Sequence, residues 1–309
     1  AGALDIPSTY TAIVVEIGAN SRDTLDELLL PKPWQKKATN IPYWPNKHAF
    51  LLSFEPLLDK YASLISKNSK ADQRALLGYH NQRGIVLPFA IAPSEPADGL
   101  SELKLSGSID GCASLLDVRA TYFSSDCTNL TGVLERRQVP AVTLATVLES
   151  WLPPPRDIAF AKIDAQGADV AVIRSAGASL TRIKAVQVEV VRDRHRAGKQ
   201  CDVQYRSPSA DPDESKCSHT EAALRQLGFV PWGTNCSVLR YKTAAGCEAD
   251  MTFVRPDDFD EMLVRSFCVP MASCGPNSWT KELAFKWQEK LGASFRLWSS
   301  YPNAKPVVY

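Results

Sequence analysis

The sequence predicts a doubly wound α/β fold: a mostly parallel sheet with helices on its faces, followed by a C-terminal helical extension. Two observations carry this. Short apolar runs recur, and each brings an acid to its end: Ala12–Ile17 with Glu16, Ala49–Phe54 before Glu55, Ile158–Ile163 before Asp164, and 183–190 with Glu189. Near-continuous apolar strands suit a parallel sheet covered on both faces. The runs also alternate with segments that carry helix-start signals, and repeated strand–helix–strand units build parallel sheets. In such sheets ligands sit outside the carboxyl ends of the strands, which makes the strand-end acids candidate site residues.

The first strand, 12–17, runs into Gly18-Ala19-Asn20. Gly18 lets the backbone turn sharply and approach a ligand with no Cβ in the way, and Glu16 or Asn20 is placed to orient a charged ligand group. The bland alternative is an ordinary strand-to-helix turn. Ser21 or Thr24 caps the helix that follows, its acids Asp23, Asp26 and Glu27 suit the positive end, and Pro31 and Pro33 stop it. Residues 32–48 hold Trp34, Tyr43 and Trp44 and read as a surface insertion, either a wall of the site or a packed loop. The second strand ends at Glu55-Pro56, with a helix through about Ser66. An acid there takes two ribose hydroxyls, because a carboxylate accepts several hydrogen bonds; its alternative role is a helix-start acid.

A third strand spans 85–90, and Pro88 suits an edge or a strand end. Residues 92–137 read as a second insertion near the site, with a possible short strand at 102–105, and 142–151 as a helix stopped by Pro153-Pro154-Pro155. After Asp164 a turn leads into a helix over 169–176, with Gly177 as its cap. The strand at 183–190 is followed by the charged run Arg192–Arg196 and a polar loop over 197–217. A helix over 220–227 capped by Gly228 and closing strands at 229–232, 236–241 and 251–254 complete a domain over 1–255, with an antiparallel pair among the closing strands. Residues 256–309, with helices near 257–267 and 279–291, form the extension packed on that domain.

With 309 residues and a formal charge of +1, the chain buries a large core and gives no case for nucleic-acid binding. No apolar run reaches membrane-spanning length. The chain starts at Ala, which reads as processing or trimming. Of the eight cysteines, six lie from Cys201 onward in polar surroundings, and CxxC does not occur. Disulfides are therefore expected and no metal site is assigned. Cys112/Cys127 and Cys268/Cys274 are plausible local bridges, and Cys201, Cys217, Cys236 and Cys247 could pair among themselves, with the connectivity open. With the sequons at Asn129 and Asn235, this points to a glycoprotein of the secretory-pathway lumen or the extracellular space.

Four stretches in order give a resemblance. Val15-Glu16-Ile17-Gly18-Ala19-Asn20, Ser53-Phe54-Glu55-Pro56, Lys162-Ile163-Asp164-Ala165-Gln166-Gly167-Ala168-Asp169 and Ile183–Glu189 resemble the motifs of FkbM-type methyltransferases. The likeness covers about 12–191, more loosely to 254. It departs at Ser21-Arg22, where the family has another glycine, and at Gln166, where it has Glu. The resemblance implies a Rossmann-like, seven-stranded sheet of the class I methyltransferase type that uses S-adenosyl-L-methionine. It implies that Glu16, Gly18 and Asn20 line the donor, that Glu55 holds its ribose, that residues near Ala90 and 110–114, Ser114 included, border the adenine, and that Asp164 faces the reacting centre.

Transfer to a hydroxyl needs alignment of the reactants, exclusion of water and removal of a proton. Asp164 is the leading candidate for the base or acceptor orienter, or else it holds the turn. His195 is the second candidate, or else a surface histidine of a basic run. Arg192, Arg194 and Arg196 suit an anionic acceptor, or else form a solvated face. The expected function is an O-methyltransferase acting on a glycan or small-molecule hydroxyl. The alternatives are a secreted methyltransferase-like binding protein without catalysis, and another donor-using chemistry.

Overall fold

The computed structural model describes residues 2–20, 49–66, 83–106, 112–118, 135–193, 201, 203, 205–206, 212–232, 236 and 247–256. The helix expected after Asn20, the 32–48 insertion, the strand expected at 236–241 apart from Cys236, and all of the extension but Pro256 lie outside them.

A seven-stranded mixed sheet organises the chain. Its strands are β1 (Ala12–Ile17), β2 (Ala49–Phe54), β3 (Gly84–Leu87), β8 (Ile158–Ile163), β9 (Ala185–Val191), β10 (Val230–Trp232) and β11 (Glu248–Val254). Their order is β10-β11-β9-β8-β1-β2-β3. The pairs β1–β2, β2–β3, β1–β8 and β8–β9 are parallel, and β11 runs antiparallel to both neighbours. The chain steps outward from β1 through β2 to β3, then returns to the other side of β1 for β8. The strand order therefore reverses between β1 and β8, and a crevice opens at such a reversal.

Every residue of β1, β2 and β8 is buried, as their unbroken apolar composition demands. On one face Val15, Ile17, Leu52, Phe54, Ile163 and Val188 join a core with helical residues. Those come from α2 (Leu144–Trp151, whose last five residues form a π turn), α3 (Asp169–Arg174) and α4 (Cys217–Gln226). Trp151 stacks on Phe54 at 6.3 Å and meets Phe89 edge-on at 5.2 Å. On the β2 side, α1 (Leu58–Ile65) buries Leu64. Helix α4 ends at Gly228, whose φ of +85° suits a left-handed cap.

The segment after β3 departs from expectation. The strand expected over 85–90 breaks at Pro88, which has no N–H to give the ladder, into β3 and β4 (Ala90–Ile91). β4 leaves the main sheet for a second one of order β4-β7-β5-β6, with β5 (Leu100–Leu105), β6 (Ala113–Ser114) and β7 (Glu135–Val142). What reads as an insertion over 92–137 is thus largely a small sheet. The helix expected from 142 begins at Leu144, because Thr143 accepts a hydrogen bond from the Thr146 N–H and caps it.

Two disulfides, Cys201–Cys247 and Cys217–Cys236, lie among the four cysteines expected to pair with one another. Cys112 is also disulfide-bonded; Cys127, Cys268 and Cys274 lie outside the described residues. Among the described residues no helix is long and apolar enough to cross a membrane.

Candidate active site at the carboxyl edge of the sheet

Two turns meet where the strand order reverses. After β1, the Gly18 and Ala19 N–H groups both donate to the Phe54 carbonyl at 3.1 Å, which ties the turn to the end of β2. Asn20 adopts a left-handed φ of +53° and donates its N–H to Glu55 Oε2 at 2.6 Å. Across the switch point the Asp164 N–H donates to the Ile17 carbonyl at 3.0 Å. A Cβ on Gly18 would lie 2.1 Å from the Asp164 carbonyl oxygen. The close contact of two backbone turns thus already requires a glycine at this position.

Glu55 is 4% exposed, with Oε1 accepting from the Leu57 N–H at 2.8 Å and Oε2 from Asn20. Burial pushes its pKa up to about 7 against the lowering effect of those two bonds. A carboxylate has about four lone-pair sites, so one on each oxygen is left for a ligand hydroxyl.

The second turn follows β8. Lys162 is buried, and its Nζ lies 3.3 Å from Asp164 Oδ2. Burial works to lower the pKa of Lys162, but the charges of Asp164, Glu16 and Asp250 outweigh it and raise it. Glu16 pairs with Lys162 across the strands, and Ser53, Glu16, Lys162, Gln187 and Thr252 form one buried polar row over five strands. Beyond Asp164 the chain passes through two left-handed residues, Gln166 and Gly167. Left-handed backbone in a long side chain such as Gln carries strain, and residues of this kind concentrate at functional sites.

The Gln166 amide nitrogen donates to Asp164 Oδ1 at 2.8 Å and to Glu189 Oε2 at 3.2 Å. Its side-chain oxygen accepts from the Tyr205 hydroxyl at 3.1 Å, a proton for which the Cys112 carbonyl, at 3.2 Å, competes. Ser114, from the small sheet, donates to the Gln166 carbonyl at 2.8 Å and accepts from the Leu116 N–H. Its hydroxyl therefore braces the turn. Asp169 opens α3 and accepts from the Gly167 and Glu189 N–H groups; burial, then the charge of Asp164, pushes its pKa up to about 7. Burial and the charges of Asp164, Glu248, Asp169 and Asp250 hold the Glu189 carboxyl well above the usual range.

The structure thus brings Glu16, Gly18, Asn20, Glu55, Ser114 and Asp164 to one edge. His195, Arg194 and Arg196 lie outside the described residues, while Arg192 is buried and so is no solvated face. His219 is exposed in the first turn of α4. Among the described residues no group of three acids, histidines or cysteines is arranged to hold a metal ion. Sequence reasoning missed the roles of Gln166 and Tyr205. The Gln-for-Glu departure marked the first; Tyr205, in a polar loop, left no signal.

Compared with known families, residues 16–231 match the methyltransferase FkbM domain, well over half of the chain. The chain belongs to that family. No curated protein matches it significantly. The FkbM domain begins within β1 at Glu16 and ends within β10, so it contains both turns and every strand-end acid described above. Membership supports a methyltransferase.

Proposed function

We propose that this FkbM-domain protein is an S-adenosyl-L-methionine-dependent O-methyltransferase, with a Rossmann-like class I sheet over residues 1–255 and an acceptor that is a glycan or small-molecule hydroxyl. The observation that carries the reading is Glu55, fixed by the Asn20 and Leu57 N–H groups beside the Gly18–Asn20 turn at the reversal of strand order. The groups present suit a donor that carries hydroxyls and positive charge. Glu55 keeps lone pairs for two hydroxyls, and Glu16 and Asp164 bring negative charge to the same edge. When bound, the donor supplies an electrophilic methyl group and retains the electron pair of the broken carbon–sulfur bond.

Everything else falls to the chain. Glu55 holds the ribose. Glu16 and Asn20 line the donor's polar end, and Ser114 braces the turn that carries Asp164. Asp164, steadied by Lys162 and Gln166, orients the acceptor hydroxyl for the loss of its proton. The disulfides support placement of the protein in the secretory lumen or outside the cell.

Calorimetry with S-adenosyl-L-methionine and with its demethylated product tests the reading. Binding of both, abolished by Glu55→Ala, is expected. Absence of binding from the intact, disulfide-bonded protein would sink it.

A further inference from the structure

We propose that Glu189 is a second acid–base group of this site, facing the acceptor, and that Gln166 is the residue that positions it with Asp164 as a working pair. The inference rests on the methyltransferase reading for its chemistry, though not for its geometry.

The geometry begins with the Gln166 side chain. A carboxylate can only accept, so the amide must turn its nitrogen toward both acids, and it does so at 2.8 Å to Asp164 and 3.2 Å to Glu189. Its oxygen is then left for a donor, and Tyr205 provides one. The backbone of Gln166 is anchored separately by Ser114. One side chain thereby joins the end of β8 to the end of β9, and its left-handed φ of +48° is what brings it between them. A Glu at this position, as in the family motif, would insert a third carboxylate between two others; the neutral amide satisfies both.

Glu189 is then the more versatile member. Asp164 uses Oδ2 for Lys162 and Oδ1 for Gln166. Glu189 uses Oε2 for Gln166, and Oε1 has no hydrogen-bond partner among the described residues. Glu189 also lines a small recess of about 20 Å³ with Gly167, Val191, Tyr205, Ser215 and Glu248, room for about one water or one hydroxyl. Its carboxyl therefore faces a space that takes a single hydroxyl beside the Gln166 bridge. The charged groups around it are Lys162 on β8, Asp164 just after it, Asp169 on α3, and Glu248 and Asp250 on β11. Burial and those four acids favour its protonated form. In the transfer, the acceptor O–H bond breaks, its electron pair forms the new O–CH₃ bond, and the proton passes to the Glu189 carboxylate.

The test reads titration before activity. With ¹³C-labelled carboxyl groups in the donor-free, disulfide-intact protein, Glu189 should titrate well above exposed glutamates. Asp164→Asn should lower its midpoint, and Gln166→Glu should raise it. A merely structural Gln166 would change stability at all pH values alike and leave that midpoint in place. Should Gln166→Glu not fold, Asp164→Asn still reads the coupling from the other side. In methyl transfer, Glu189→Gln should lower kcat about 10²–10³-fold with little change in KM and remove the acidic limb of the rate profile, the loss expected for a general base. Glu189 titrating like an exposed glutamate in every variant, or Glu189→Gln retaining the wild-type kcat, overturns the proposal. Failure to bind the donor with the Glu189 shift intact would instead count against the proposed function alone.

Discussion

Glu55→Gln should change how stability depends on pH, by an amount the structure sets. In the folded chain burial holds the Glu55 pKa at about 7, against 4.5 for an unperturbed side chain. Between those values the native state keeps a proton that the unfolded state has released. Stability from this group is therefore fully present below pH 4.5 and is lost as pH rises through 7. At 1.36 kcal/mol per pKa unit, the loss is on the order of 3 kcal/mol by pH 8. Asp169, pushed up to about 7 by burial, acts in the same direction and window, so the wild-type curve alone cannot assign the effect. The difference between wild type and Glu55→Gln can. Equilibrium urea unfolding at half-unit steps from pH 4 to 8, without reductant, should show the wild-type free energy falling relative to the variant's as pH rises. The wild-type value minus the variant's should drop by about 3 kcal/mol. Curves that stay parallel across that range would show that Glu55 is not held protonated by burial. Donor hydroxyls would stabilise its charged form, so binding should release a proton near pH 6.5 and strengthen as pH rises through 7. Calorimetry in buffers of different ionisation enthalpy measures that release.

Gly18→Ala forces a side chain onto a left-handed residue with its Cβ 2.1 Å from the Asp164 carbonyl. It should cost at least about 3 kcal/mol in urea unfolding, and a loss under 1 kcal/mol would refute the backbone contact. Lys162→Met removes a buried cation flanked by Glu16 and Asp164 and should destabilise by about 3–5 kcal/mol at pH 8. The loss should shrink toward pH 4 as the acids take up protons, and a pH-independent loss would indicate packing alone. Replacing both Cys201 and Cys247 by Ser opens a loop of 46 residues and should cost about 4 kcal/mol on chain-entropy grounds, against about 3 kcal/mol for Cys217 with Cys236. Thermal melts rank the two, and non-reducing peptide mapping should recover both bridges.

The main sheet was legible because its strands are buried on both faces. That burial leaves β1, β2 and β8 almost free of polar residues, and the interruptions that remain, Glu16, Ser53 and Lys162, share one row. The small sheet was not legible. In β7, Glu135, Arg136 and Gln138 are exposed and Pro140 interrupts the run, so neither apolar run nor clean alternation marks it as a strand. β5 pairs with it over six residues through contacts some 35 positions apart, a distance no local pattern reports.

By itself the sequence determined the strands of the main sheet, the family motifs and the acids that end those strands, because these depend on local composition and spacing. The tertiary structure alone decided how the acids work together. It placed the Asp164 carbonyl against Gly18, buried Glu55 between two N–H donors, and set Gln166 between Asp164 and Glu189 with Tyr205 behind it. Proton affinities and hydrogen-bond partners belong to the distances between elements and to the water excluded from them, and those exist only once the sheet has closed.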